Sequence, residues 1–401
     1  MLALRLARGT HPLVLLRRLL VAAASAGVGF LLLATLGYAL GHPDRGADAA
    51  VRLLWCAVPL AAAVQFAVAV ARTDPGARPL PGLSSAGLGP VRLALLAAVS
   101  TAVSCTLGSV VALLAFLLLR GDLGPVPFPG GPAELLGAGK PAPFAAVLTL
   151  LFVVPVLSAA AGALSLRPRK RRPGAAPDPQ QPAAANEHGG ARATLFSGLP
   201  WGIALTAAGL ALVSYAAGAP PAAGELLPLP GRLDAIPPGA VGGWVLIATG
   251  LVLACPGITH LCGRLLAAGR PGALRLLSGR VLQEEAQRIG RPLGVLCAVV
   301  AAALTATRLY GSAPDGPGGR PFGPLTGMGA ALVLACVTAT VLTAALETKG
   351  ARTDTTGALR RLGVPAGTLR RAAALRGAVT VAVLAPLTWL VAELAALPLT
   401  R

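Results

Sequence analysis

Long apolar runs separated by short polar segments dominate the chain. Uncharged stretches fall at 19–40, 53–71, 93–119, 144–166, 193–217, 241–263 and 326–346. A helix needs about 20 mainly apolar residues to cross a bilayer, and each stretch is of that order. Two further runs complete the set. Residues 292–307 are short but extend through snorkelling Arg291 and Arg308. Residues 377–400 carry a single acid, Glu393. The pattern predicts an all-α integral membrane protein of about nine transmembrane helices. The first run is too long for the apolar region of a signal peptide and is followed by more spans, so it is expected to remain as a span.

Composition agrees with lipid as the solvent. The 401 residues are 55% hydrophobic and 12% charged, with a mean hydropathy of +0.73. Soluble domains carry roughly 25% charged residues. Arginine outnumbers lysine 31 to 3, and Ala, Gly and Pro abound. That bias fits a GC-rich genome, so the choice of Arg over Lys carries no special chemistry.

The formal charge of +19 acquires meaning from its placement. Segments 1–18, 72–92, 167–192, 264–291 and 349–376 alternate along the chain with 41–52, 120–140, 218–240, 308–325 and the C-terminus. The first set holds 26 of the 34 basic residues and the second holds 8, while the acids divide almost evenly. Cytoplasmic loops are enriched in Lys and Arg, so nine spans with the N-terminus inside and the C-terminus outside are expected. The basic charge then serves orientation and contact with anionic lipid headgroups, and no nucleic-acid partner is needed to explain it. The basic cluster Arg167–Arg172 leads into a Pro-, Ala- and Gln-rich tract to about Arg192, which is expected to be a disordered loop over 167–192.

Ala71-Arg72-Thr73-Asp74 recurs as Ala351-Arg352-Thr353-Asp354, each copy between two apolar runs. The flanks match as well. A basic segment from Leu6 to Arg18 precedes the first copy's spans, and a similar one beginning at Leu266 precedes the second's. Leu274, Leu277 and Val281 have helical spacing, which suits a helix lying in the interface plane. The expected organisation is a first three-span repeat over 1–119, bridging spans four to six over 120–263, and a second three-span repeat over 264–401. The two repeats share one orientation, so they would be parallel about an axis along the membrane normal.

The two repeated loops have helix signals of their own. Asp74 followed by Pro75 is a helix start, with Gly87 and Gly89-Pro90 following before Arg92. In the second loop, Thr353 or Asp354 is placed to cap a short helix over Thr355–Leu362. Gly363 would end it in the left-handed conformation, and Pro365 would start the helix that carries Arg370, Arg371 and Arg376 into the last span.

The stretch Ala358-Leu359-Arg360-Arg361-Leu362-Gly363-Val364-Pro365-Ala366-Gly367-Thr368-Leu369-Arg370-Arg371 resembles the cytoplasmic loop of FtsX-like permeases. The whole chain is similar to the two-repeat permeases of macrolide- and bacitracin-type ABC exporters. The resemblance implies a multi-pass protein of the bacterial plasma membrane with a separate cytoplasmic ABC ATPase as partner. The loops 72–92 and 349–376 would be coupling loops, and a homodimer or a second permease would complete the complex. It further implies that Arg72, Thr73, Asp74, Arg352, Thr353, Asp354, Arg360 and Arg361 face the ATPase. Asp74 and Asp354 would hold the short helices, and Gly363 would act as the hinge. Two departures stand out. The outer segments 41–52 and 308–325 are too short for the large ectodomains of many family members, and a tenth span, the last that the family pattern gives the second repeat, is expected to be missing.

Catalytic chemistry is not expected. No phosphate-binding loop of the Gly-x4-Gly-Lys-Ser/Thr form is present, so any ATP must be bound by another chain. His11, His42, His188 and His260 form no ligand pair, and the six cysteines fall in spans without metal-ligand spacing. Neither a cofactor nor a metal site is indicated. Pro155, Pro256 and Pro386 are expected inside spans, where neighbouring helices can satisfy the freed carbonyls. Two alternatives to a permease subunit stay open. One is a membrane scaffold descended from such a permease, with a protein partner but no ATP-dependent function. The other is a proton-coupled secondary transporter, for which Glu393 is the candidate intramembrane acid.

Overall fold

The structure, a computed structural model, describes residues 12–73, 90–122, 136, 140, 143–166, 183–218, 227–228, 235–269, 272–311 and 324–400. In chain order its helices are α1 (Pro12–Gly41), α2 (Gly46–Trp55), α3 (Ala57–Thr73), α4 (Pro90–Arg120), α5 (Phe144–Leu166), α6 (Ala183–Gly218), α7 (Pro238–Ala267), α8 (Ala273–Gly311), α9 (Pro324–Ala351), α10 (Thr353–Arg361) and α11 (Ala366–Thr400). A two-residue ladder, β1 (Leu227–Pro228) with β2 (Ala235–Ile236), lies between α6 and α7. Among the described residues nine helical stretches are long and apolar enough to cross a membrane. The chain is thus a multi-pass, all-α membrane protein.

The helices group into two compact units, one from residues 1–171 with 322–340 and the other from 172–321 with 341–401. This grouping follows packing and does not run along the repeat boundaries at 119 and 263. In the first unit α1, α3, α4 and α5 pack on one another. Leu33 of α1, Phe116 of α4 and Leu151 of α5 share a core with Leu136 from the connection before α5. Lipid offers no hydrophobic drive between spans, so close packing and interhelical hydrogen bonds hold them together. Ser25 Oγ donates to the carbonyl of Cys105 (2.8 Å) and Ser109 Oγ to that of Leu151 (3.2 Å). At the end of α1, Lys140 Nζ donates to the carbonyls of Leu40 and Gly41. A cation there satisfies carbonyls that have no intrahelical partner and offsets the negative helix end.

In the second unit α6, α7, α8 and α11 pack together. Val213, Ile247, Ala301 and Val391 form one cluster, and Cys262, Leu266 and Leu282 form another with Leu375 and Val379 beside it. At the second cluster α7 and α8 approach to backbone contact. A Cβ on Gly279 would lie 2.6 Å from the Gly263 carbonyl oxygen, and one on Gly263 would lie 2.8 Å from the Gly279 oxygen. Glycine is required at both positions for this approach.

Four sequence expectations change. The segment from Ala273 is no separate in-plane helix, because α8 runs unbroken for 39 residues through Pro292. Ser278, Leu282, Ala286, Cys297 and Ala301 are all buried, so one packed face spans the proline and sustains the helix. At 1.5 Å per residue α8 is about 58 Å long, nearly twice the apolar thickness of a bilayer. Span two is broken at Cys56, where α2 ends and α3 begins. Pro59 has no N–H to give Trp55 and its ring crowds that carbonyl. Residues 183–192 belong to α6, where alanine's high helix propensity outweighs the polarity of the tract. The prolines Pro155, Pro256 and Pro386 do lie inside helices. The fourth change concerns the cap of α10 and is taken up with the site.

Candidate functional site

Both copies of the repeated motif mark the end of a spanning helix. Thr73 is the last residue of α3, and Ala351 is the last of α9. In both, the threonine hydroxyl donates three residues back, from Thr73 to Val70 (2.9 Å) and from Thr353 to Gly350 (2.8 Å). Such bonds are common for threonine in helices, so their weight lies in the matching position. The environments differ. Arg72 is exposed and Thr73 buried, whereas Arg352 is half-buried and Thr353 exposed. Asp74, Gly87 and Gly89 lie outside the described residues, and with them the short helix expected in the first loop.

The second loop is described throughout its backbone. Its helix α10 begins at Thr353, two residues earlier than expected, with Arg352 at the N-cap and no side-chain capping bond. The Thr353 hydroxyl is committed to Gly350 and so does not cap. The side chain of Asp354 lies outside the described residues. At the far end the expectation for Gly363 holds in geometry. Its φ is +87°, the Leu362 N–H reaches the Ala358 carbonyl and the Gly363 N–H reaches that of Arg360. This is a left-handed C-terminal cap. Pro365 then accepts from the N–H of Thr368 (3.1 Å) at the start of α11.

Gly363→Val is therefore expected to cost about 1–2 kcal/mol, the penalty of a left-handed L-residue. Asparagine tolerates that region better, so Gly363→Asn should cost clearly less. Comparing the thermal unfolding of the two variants in one detergent checks this.

The exposed surface at the end of α10 is basic and apolar together. Arg360 and Arg361 are exposed, and Leu362 between them and the turn is 80% exposed. Arg370 and Arg371 are exposed one turn into α11, and Arg275, Arg280, Arg288 and Arg291 are exposed on α8. The second unit thus has a basic end, at which α7 finishes and α8 and α11 begin.

Arg352, by contrast, turns inward. Its guanidinium lies 2.5 Å from Oε1 of Glu285 on α8 and also donates to the Val281 carbonyl (3.4 Å). Oε2 of the same carboxylate lies 3.8 Å from Arg376 on α11. The side chains are 13% exposed for Glu285 and 21% for each arginine. Close by, Ser278 Oγ donates to the Ala372 carbonyl (3.2 Å) between α8 and α11. One carboxylate therefore joins three elements. Sequence reasoning passed over Glu285, although a signal existed. Leu274, Leu277 and Val281 form a half-buried stripe beside the packed face of α8, and Glu285 lies one turn further along it.

At the opposite end of the same helices, Glu393 pairs with Arg308 at 2.5 Å, the arginine being 59% exposed. All six cysteines are buried as free thiols, and among the described residues no group of three His, Cys, Asp or Glu is placed to hold a metal. No family model, curated protein or solved structure matches the chain.

Proposed function

We propose that the chain is the membrane subunit of an FtsX-like ABC transport or mechanotransmission complex in a bacterial plasma membrane. Its ATPase is a separate cytoplasmic chain that docks on α10 and on the loop over 72–92. The observation that carries this reading is α10 itself. It is a nine-residue helix between two spans, closed by a left-handed glycine, with Arg360, Arg361 and Leu362 turned to solvent. Buried apolar anchors ringed by charge are the usual basis of a specific interface.

Three further observations support it. The basic loops fall on alternate connections, which supports a cytoplasmic N-terminus and a cytoplasmic α10. The motif copies mark the ends of α3 and α9, at Thr73 and Ala351, within two residues of the same motif position. In each proposed repeat the helix that carries the first span bonds to the helix that carries the third through a buried hydroxyl and a backbone carbonyl, Ser25 to Cys105 inside the spans and Ser278 to Ala372 in the segments leading into them. ATP binding and hydrolysis reside in the partner, and anionic lipids line the basic loops. The test is to purify the tagged chain from its own host in mild detergent and identify what accompanies it. A stoichiometric ATPase with a phosphate-binding loop supports the reading, and its absence from preparations that retain other complexes counts against it.

A scaffold without transport is the second reading. It is favoured by the outer segment between α1 and α3, which is filled by a turn at Pro43–Arg45 and the short helix α2 and holds no ectodomain. A proton-coupled transporter would depend on Glu393. An ion pair exposed to solvent contributes about 0–1 kcal/mol, so Glu393→Gln is expected to leave unfolding in detergent within about 1 kcal/mol of the parent. Proteoliposomes carrying a trapped pH dye should show the same proton flux for variant and parent. Abolished flux in the variant would favour the proton-coupled reading.

A further inference from the structure

The two oxygens of Glu285 face two cations from two different elements. Oε1 takes Arg352, at the junction where α9 gives way to α10, and Oε2 takes Arg376 on α11. Glu285 itself belongs to α8, next to residues that pack closely on α7. A partly exposed ion pair contributes little by itself. Here the three side chains are at most about one-fifth exposed, and removing one partner from a desolvated group leaves the others uncompensated. The arrangement is asymmetric. Without Arg352, Glu285 keeps Arg376 and only α10 loses its tie. Without Arg376, Glu285 keeps Arg352 and α10 stays held. Without Glu285, both ion pairs are lost and two guanidinium groups face each other, while the longer bond from Arg352 to the Val281 carbonyl (3.4 Å) stays.

We propose that Glu285 is the positioning residue that fixes α10 to α8, so that a partner gripping α10 pulls on the two spanning helices α8 and α11 together. The second half of this statement rests on α10 being the ATPase-docking element, and the first half does not. Arg352 is then the tether of the repeated motif, and its part in docking is indirect. Arg360, Arg361 and Leu362 make the contact, and Arg352 sets where they stand.

The test uses the full chain in lipid nanodiscs with a nitroxide on a cysteine replacing Ala358, an exposed position on α10. The label's mobility reports whether α10 is held, and capture of the ATPase from the host membrane reports docking. Glu285→Gln and Arg352→Gln are each expected to mobilise the label and to reduce capture about tenfold. Arg376→Gln should leave the label immobile. Exchanging the charges in Glu285→Arg with Arg352→Glu should restore much of the immobilisation, which a purely packing role for either residue would not do.

An unmoved label in both Glu285→Gln and Arg352→Gln overturns the proposal, as does a label freed equally by Arg376→Gln. Should Glu285→Gln not insert, Arg352→Gln and the exchanged pair decide the matter. A freed label with undiminished capture overturns the role in docking. If the parent protein captures no ATPase, the proposed function falls, while the label alone still decides whether Glu285 holds α10.

Discussion

Replacing Arg360 and Arg361 together by glutamate is expected to lower recovery of the proposed ATPase partner about a hundredfold. Each charge reversal at a docking surface is taken as about 1.4 kcal/mol, a factor of ten, and like charges brought face to face can cost more. The two side chains are exposed, so the fold does not depend on them. Lys349, Arg352, Arg370, Arg371 and Arg376 remain in the same loop, enough basic charge to keep its sidedness. Membrane insertion and thermal stability should be unchanged. Quantitative immunoblotting of the captured ATPase against total membrane protein measures the effect. Normal capture by the double variant would remove α10 from the docking surface.

The second large effect is expected at Gly279. A Cβ there would lie 2.6 Å from the Gly263 oxygen, 2.9 Å from the Ala267 nitrogen and 3.0 Å from the Ala267 Cβ. Two of these are backbone atoms that cannot swing away, so α8 must move off α7. Overpacking of this kind costs about 1–3 kcal/mol, and Gly279→Leu adds three more carbons to the clash. The unfolding temperature of Gly279→Leu should fall by several degrees, and the α8–α10 tie at Glu285 should loosen with it. Gly272 is the control. Nothing lies within 4 Å of its Cβ position, so Gly272→Ala should unfold like the parent. Thermal scans of both variants in the same micelles compare them. A Gly279→Leu protein as stable as the parent would mean that the α7–α8 contact is looser than described.

The spanning segments were legible in the sequence because length and the absence of charge are local properties. Each of the nine apolar runs overlaps a described helix long enough to cross a membrane. What the sequence concealed depends on contacts between distant segments. The unbroken course of α8 through Pro292 follows from a face buried on α7 and α11, which no local pattern encodes. The break at Cys56 was readable in principle, since Pro59 removes one backbone bond in a run whose hydropathy continues past it. Gly363 was legible because a left-handed helix end nearly always needs glycine, a demand made by one residue's backbone. Glu285 was missed for the opposite reason. Its meaning comes from Arg352 and Arg376, which lie 67 and 91 residues further along the chain. Arg352 was expected to face the partner from the resemblance of its loop to that of FtsX-like permeases, and such a resemblance says where an element lies without saying which way a side chain turns.

The central claim is that α10 meets a cytoplasmic ATPase, and the contact at Leu362 tests it most directly. With a photoreactive phenylalanine analogue in place of Leu362, illumination of the living host should yield one dominant protein adduct. Mass spectrometry of that adduct should identify a chain with a phosphate-binding loop. Adducts with lipid alone, or with a protein lacking any nucleotide-binding domain, would contradict the account.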